Sequence, residues 1–219
     1  MRPRSAADPG AMRLHPRTAP GVAGGRPRAP VPTSRRWRYA AVLGLVLGTL
    51  AAREAGATVF LAKDEALAQA FPGAERVEDR VFILTDEQKT AVEKLAQAPL
   101  ESQLWTIHVG WKAGEVQGYA VIDSHVVRTL PESVMVVLEP DGTLRRVEIL
   151  AFHEPPEYLP TSRWVEQFKG RALTDDLKLG AGIQGITGAT LSATAMTASV
   201  RRALALFTVL VKAPASGTR

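Results

Sequence analysis

An α+β fold follows from two patterns in this 219-residue chain. Two runs place apolar side chains at every second residue and two more read as strands, with tight-turn signals among them, and one long C-terminal run places apolar residues at spacings of three and four. Tight turns join only antiparallel neighbours, so the four runs predict an antiparallel sheet, and the helical stripe predicts a helix laid across it.

The elements follow in order. Asp64 to Ala70 and Asp86 to Ala98 read as helices, with Asp64 and Thr85 as N-caps and Val92 with Leu95 as a short apolar stripe; Pro72-Gly73 and Pro99 punctuate them. From Trp105 the period becomes two. Trp105 to Trp111 and Val116 to Ile122 alternate, joined by a short turn from Lys112 to Glu115 around Gly114. Val134 to Glu139 reads as a buried strand, Pro140-Asp141-Gly142-Thr143 as a turn, and Leu144 to Phe152 as the returning strand. His153 to Pro160 holds three prolines, which forbid a regular helix or a central strand and predict a stiff loop. The last helix is expected from about Leu191 to Lys212, its apolar face formed by Met196, Val200, Leu204, Phe207 and Val211, with Arg201 and Arg202 off that stripe. Arg145-Arg146 and Glu75 to Arg80 read as solvated charge.

Composition narrows the function. The apolar share of 46% and charged share of 22% are those of a globular chain. The net charge of +5 is misleading, because residues 1–38 hold nine of the 27 Lys/Arg and one acid, leaving 18 basic and 21 acidic side chains in the body. That balance removes the main electrostatic support for nucleic-acid binding. The absence of cysteine excludes disulfides, haem attachment and thiolate-bound metal, so any electron transfer falls to an organic cofactor. His108, His125 and His153 have no metal-ligand spacing and read as core or surface residues. Trp105 and Trp111 read as sheet packing, while Tyr158 on the proline loop is a candidate for stacking on a planar cofactor.

The first 38 residues form a Pro/Arg/Gly-rich basic leader, expected to be disordered, in which Met12 is an alternative start. Ser34 to Arg38 and the apolar run Tyr39 to Ala52 resemble the n- and h-regions of an export signal, with Ala55-Gly56-Ala57 as a cleavage site. The run is short for a bilayer span, which makes residues 39–57 a signal peptide first and an uncleaved anchor second. A periplasmic location follows, or an inner-membrane one facing the periplasm with the N-terminus cytoplasmic. The expected organisation is then leader at 1–38, signal or anchor at 39–57, a helical segment at 58–102, the main domain at 103–212 and a tail at 213–219.

The stretch Gln184 to Thr194 reads as a turn feeding the last helix. Such an end presents unpaired N–H groups and the positive pole of the helix dipole, favouring a nearby anion by ~0.3–1 kcal/mol. Thr187 is expected to cap the helix, leaving the Thr190 hydroxyl free. Thr194, Thr197 and Ser199 lie deeper, where hydroxyls bond back to preceding carbonyls.

Thr187-Gly188-Ala189-Thr190 resembles the Ser/Thr-Gly-Ala-Thr motif of the FMN-binding domain family, which includes subunits of the sodium-translocating NADH:quinone reductase and of the Rnf complex. In that family a flavin transferase uses FAD to join FMN through its phosphate to the last threonine, which is Thr190 here. The family's acidic residue three positions before the motif is Gln184 in this chain. Its Glu-Thr-Pro-Gly loop, which lies against the flavin, is matched by Glu154 and Pro156 but not by Pro155 or Glu157. Trp164 to Gly170 resembles the short helix and glycine that follow, and the likeness spans roughly residues 103–210. The resemblance implies covalent FMN held by Thr190, with Thr187, Gly188, Ala189, Leu191, Glu154, Pro156 and Tyr158 around it and no catalytic acid–base pair. It implies an electron carrier or complex subunit rather than a stand-alone enzyme, matured by a flavin transferase and served by a membrane electron-transfer partner. The alternative is a non-redox sensing or scaffold module of the same fold, unmodified or binding FMN reversibly.

Overall fold

The computed structural model describes residues 58–212; the leader, the signal or anchor stretch and the tail lie outside the described residues. Six strands, β1 (Thr58–Val59), β2 (Arg76–Ile83), β3 (Leu104–Lys112), β4 (Glu115–Val126), β5 (Pro131–Leu138) and β6 (Leu144–Phe152), form one sheet in the order β1-β6-β5-β4-β3-β2. Every neighbouring pair is antiparallel. Helices α1 (Lys63–Ala70), α2 (Asp86–Ala96), α3 (Ser162–Val165) and α4 (Thr190–Phe207) pack on it, α4 continuing as a π turn over Thr208–Lys212. The expected α+β class is the observed one.

Several boundaries follow from local chemistry. The Ala113-Gly114 loop between β3 and β4 holds both residues at positive φ, 51° and 79°, which is what a two-residue hairpin needs to match strand twist. Thr85 caps α2 in a reciprocal box with Gln88. Asp64, expected to cap α1, instead lies inside it: the cap is Ala62, without a side-chain bond. β2 falls on charges that the sequence pattern marks as solvated. It is an edge strand with neither face deeply buried, so its alternation is masked by Arg76, Glu78, Asp79 and Arg80.

The two faces of the sheet are covered unequally. Val134, Val136 and Leu138 join Ile107, Val109, Tyr119 and Val121 under α2 and α4 in the main core. The intervening Met135 and Val137, with Ala120 and Leu150, meet α1 on the other face through Ala66, Leu67, Ala70 and Phe71. Gly110 allows that second layer, because a Cβ there would overlap the Phe71 ring. Thr190–Lys212 is long and apolar enough to cross a bilayer, but 67% of its apolar window is buried within the fold, as befits a core helix.

Arginines expected off the apolar stripe turn out to fix α4 in place. Arg201 is buried and donates to the carbonyls of Leu95, Ala96, Thr174 and Leu177 at 2.6–3.1 Å. The Leu95 and Ala96 carbonyls lie at the C-terminus of α2, where backbone acceptors have no intrahelical partner, and the other two lie in the loop after α3. Arg202 donates twice to Asp123 on β4, at 2.9 and 2.5 Å. His125 sits next along the strand, 3.6 Å from Asp123 and 3.2 Å from the fully buried Glu132 on β5. Charge thus alternates Arg202, Asp123, His125, Glu132 between helix and sheet. Arg145, also expected to be solvated, clamps Glu139 at 2.9 and 2.7 Å and reaches the carbonyls of Ala70 and Gln117.

Burial opposes charge on His125, but the close Asp123 and Glu132 carboxylates favour the imidazolium more strongly and raise its pKa to about 9. A raised pKa means that the imidazolium's contribution is complete below about pH 6.5, where the unfolded chain is also protonated, and is lost as pH rises through about 9. Chemical denaturation of the domain should therefore show a loss of ~1–3 kcal/mol between pH 7 and 10 that is absent in His125→Gln. Arg202→Met leaves Asp123 buried without its cation and should cost ~3–5 kcal/mol at pH 7, read as a lower denaturation midpoint.

Candidate functional site

The site grows from the end of α4. Ala189 occupies the N-cap position and provides no side-chain hydrogen bond, so Thr187 is not the cap that the sequence suggested. The reason is spacing: the helix begins at Thr190, which leaves Thr187 three residues ahead of its first turn. Gly188, at φ +83°, turns the chain into the helix, a conformation that strains any residue with a Cβ. The first helical bond runs from Ala193 N–H to the Ala189 carbonyl. Thr190, Leu191 and Ser192 consequently offer N–H groups without intrahelical acceptors.

Thr190 is exposed, and among the described residues its hydroxyl makes no hydrogen bond; only its carbonyl is used, by the Thr194 hydroxyl at 2.8 Å. Thr197 bonds back in the same way to Ala193. Thr194 and Thr197 are thus occupied, as expected, whereas the buried Ser199 hydroxyl, expected to bond back in the same way, has no partner among the described residues. Thr187 and Gly188 are exposed, Ala189 is buried, and Leu191 is 52% exposed, an apolar side chain standing in solvent beside the free hydroxyl.

Gln184 leaves its side chain exposed and is held by its backbone. Its carbonyl accepts from the Trp164 indole at 2.6 Å and its N–H donates to Gln167 at 2.9 Å. Trp164 is buried edge-on to Phe168, so the segment after the proline loop anchors the turn that leads to Thr190. Sequence pattern assigns Trp164 no such task; its indole N–H is the signal that a buried tryptophan needs an acceptor.

The proline loop forms a second cluster. Glu154 is buried, and its Oε1 accepts from the backbone N–H groups of Arg128, Thr129 and Leu130 at 3.0, 2.7 and 2.9 Å. Burial pushes its pKa upward, but those three donors outweigh burial and hold it below the ordinary glutamate value. Pro156 is exposed and opens a 3-10 turn ending at Tyr158. Tyr158 is half-buried, and the Arg128 guanidinium lies 5.1 Å from its ring centroid. Arg128, on the β4–β5 turn, is a residue that sequence reasoning missed, because only the fold brings it to the loop.

The two clusters lie toward one end of the sheet. Phe207 packs on Tyr119, five residues along α4 Arg202 meets Asp123, and the helix so followed backward runs along β4 toward the Arg128 turn. Among the described residues no hydrogen bond joins Glu154 or Tyr158 to the Thr187–Thr190 turn. The donor set fits a phosphate monoester or diester: unpaired backbone N–H groups, the positive helix end and an accessible hydroxyl on the same turn.

Residues 131–205 match the family described as FMN-binding domain. The G subunit of the Na(+)-translocating ferredoxin:NAD(+) oxidoreductase complex of Acetobacterium woodii is 28% identical over 144 residues, covering 58% of this chain and 66% of that protein. The crystal structure of NqrC from Shewanella oneidensis aligns with a TM-score of 0.39 at 15% identity, over 62% of this chain and 80% of that one. The resemblance read from Thr187 to Thr190 is therefore upheld, since the motif lies within the matched stretch.

The Glu154 clamp generates a test. Glu154→Leu removes the acceptor from three N–H groups and should destabilise the domain by ~1–3 kcal/mol, with amide hydrogen exchange at Arg128, Thr129 and Leu130 accelerated ahead of the neighbouring strands.

Proposed function

We propose that this chain, which carries an FMN-binding domain over residues 131–205, is an exported or membrane-anchored flavoprotein that relays electrons through FMN esterified to Thr190. One observation supports the reading above the others: Thr190 is an exposed threonine at the first position of an uncapped helix, with its hydroxyl unengaged, in the last place of the Thr-Gly-Ala-Thr motif. In attachment from FAD, the Thr190 oxygen would form a bond to the FMN phosphorus as the pyrophosphate linkage breaks, AMP leaves and the hydroxyl proton passes to a base. The helix end would then hold the remaining phosphate charge through the N–H groups of Thr190, Leu191 and Ser192.

FMN would supply the redox chemistry, and the protein's part is to place it and set its surroundings. The exposed Leu191 side chain offers apolar surface beside the tether, and Tyr158 with Arg128 offers an aromatic and a cation toward the same end of the sheet. A bond to the protein suits a carrier working outside the cytoplasm, where a dissociated cofactor is lost by dilution. The relative from Acetobacterium woodii belongs to a redox complex, which favours membrane partners as donor and acceptor here, with a flavin transferase acting in maturation.

The chain isolated from its own host should fluoresce as a yellow band on a denaturing gel, because only a covalent flavin survives unfolding. Mass spectrometry should find the FMN adduct on the peptide containing Thr190, and Thr190→Val should abolish both signals while leaving the circular dichroism of the fold unchanged. A colourless wild-type chain from a host with an active flavin transferase refutes the reading and leaves a non-redox module. Flavin that is present but released by denaturation refutes the covalent bond alone.

A further inference from the structure

The segment leading to Thr190 changes character at Gln184. From Arg171 to Ile183 the chain is tied repeatedly to its surroundings. Arg171 donates to the carbonyls of Gln167 and Gly182 at 3.2 and 2.8 Å, the N–H groups of Gly182 and Ile183 donate to the carbonyls of Asp176 and Lys178 at 2.7 and 3.1 Å, and Ile183 is fully buried. After Gln184 the ties stop. Gly185, Thr187 and Gly188 are exposed, and a Cβ added at either glycine would meet nothing within 4 Å. Among the described residues, the one hydrogen bond to residues 185–188 runs from the Ala189 N–H to the Ile186 carbonyl, at 3.1 Å.

Gln184 is the last fixed point before that span, and it is held by its backbone alone. The Trp164 indole donates to its carbonyl at 2.6 Å, and its N–H donates to Gln167 Oε1 at 2.9 Å. The two holders are themselves linked, since Gln167 Nε2 donates to the Trp164 carbonyl at 3.1 Å. Thr161 caps α3 by accepting from the Trp164 N–H, and the indole is buried edge-on to Phe168, so its donor has one direction. At the far end Ala189 is buried and accepts the first helical bond of α4. Residues 185–188 thus bridge two fixed ends through solvent, with the Thr190 hydroxyl just beyond. A span this short has few conformations open to it, and freeing either end multiplies them.

We propose that Trp164 and Gln167 are positioning residues for cofactor attachment: by fixing the Gln184 backbone they present residues 185–190 to the flavin transferase already shaped for binding. The inference rests on the esterification of Thr190 proposed above. In that step the Thr190 oxygen bonds to the FMN phosphorus of FAD, and the phosphoanhydride bond breaks with its electron pair leaving on AMP. The hydroxyl proton passes to a base of the transferase. Neither Trp164 nor Gln167 touches the reacting atoms. Their part is to remove disorder beforehand, so that the transferase does not have to order the span as it binds. The effect therefore belongs in KM for the chain, because the span regains its shape once bound.

Two variants test this. Trp164→Phe keeps an aromatic ring against Phe168 and removes the donor, and Gln167→Met keeps the length of a half-buried side chain and removes the acceptor. The full-length chain without flavin is incubated with FAD and a purified flavin transferase, and attached flavin is followed as fluorescence on denaturing gels. Each variant should raise KM for the chain by about fivefold or more with kcat within about twofold of wild type. The double variant should lie within about twofold of the weaker single one, because both side chains hold the same residue. Before flavin is added, hydrogen exchange at the Ala189 amide should be about tenfold faster in both variants, with β4 and β5 unchanged. If Trp164→Phe loosens the whole sheet, Gln167→Met alone decides. Wild-type KM in Gln167→Met, unchanged exchange at Ala189, or a loss confined to Trp164→Phe each overturns the proposal. A wild-type chain that takes up no flavin overturns the attachment itself, whereas a flavinylated wild type beside variants of equal KM overturns the positioning alone.

Discussion

Two adjacent arginines in the middle of the long helix hold the rest of the molecule in register. Arg201 faces sideways to the end of α2 and the loop after α3, and Arg202 faces down to Asp123 on the sheet. Neighbouring residues on a helix diverge by about 100°, so a consecutive pair can tie one helix to two different layers. Neither guanidinium could be buried without acceptors, and each finds them in backbone carbonyls or a carboxylate. The position of Thr190 relative to the sheet is a consequence of that double attachment.

The functional end shows a division of labour between rigid supports and unengaged groups. Glu154 uses one carboxylate oxygen to hold three N–H groups of the β4–β5 turn, and Trp164 uses its indole to hold Gln184. These bonds consume polar groups that would otherwise compete for a ligand. Thr190, the N–H groups behind it and the Leu191 side chain are left unengaged. Such a combination suits the anchoring of a cofactor by its phosphate, with the protein prepared before the cofactor arrives.

How much of this was legible beforehand depended on the range of the interactions involved. The period-two runs, the Ala113-Gly114 turn, the Thr85 cap and the long helix were set by neighbours within a few residues, and the sequence alone determined them together with the lack of any thiol chemistry. The motif at Thr187 to Thr190 was likewise readable, because four consecutive residues carried it. β2 was hidden because an edge strand with two wet faces has no strong alternation, and Thr187 was misread as the cap because a shift of two residues in a helix start cannot be read from hydroxyls alone. Only the tertiary structure decided that Arg201 and Arg202 are buried clamps and Arg145 a half-buried one, that Arg128 meets Tyr158, and that β3 parts from β4. Those outcomes join residues distant in the chain, and a charge in isolation carries no mark of the partner that folding will bring to it.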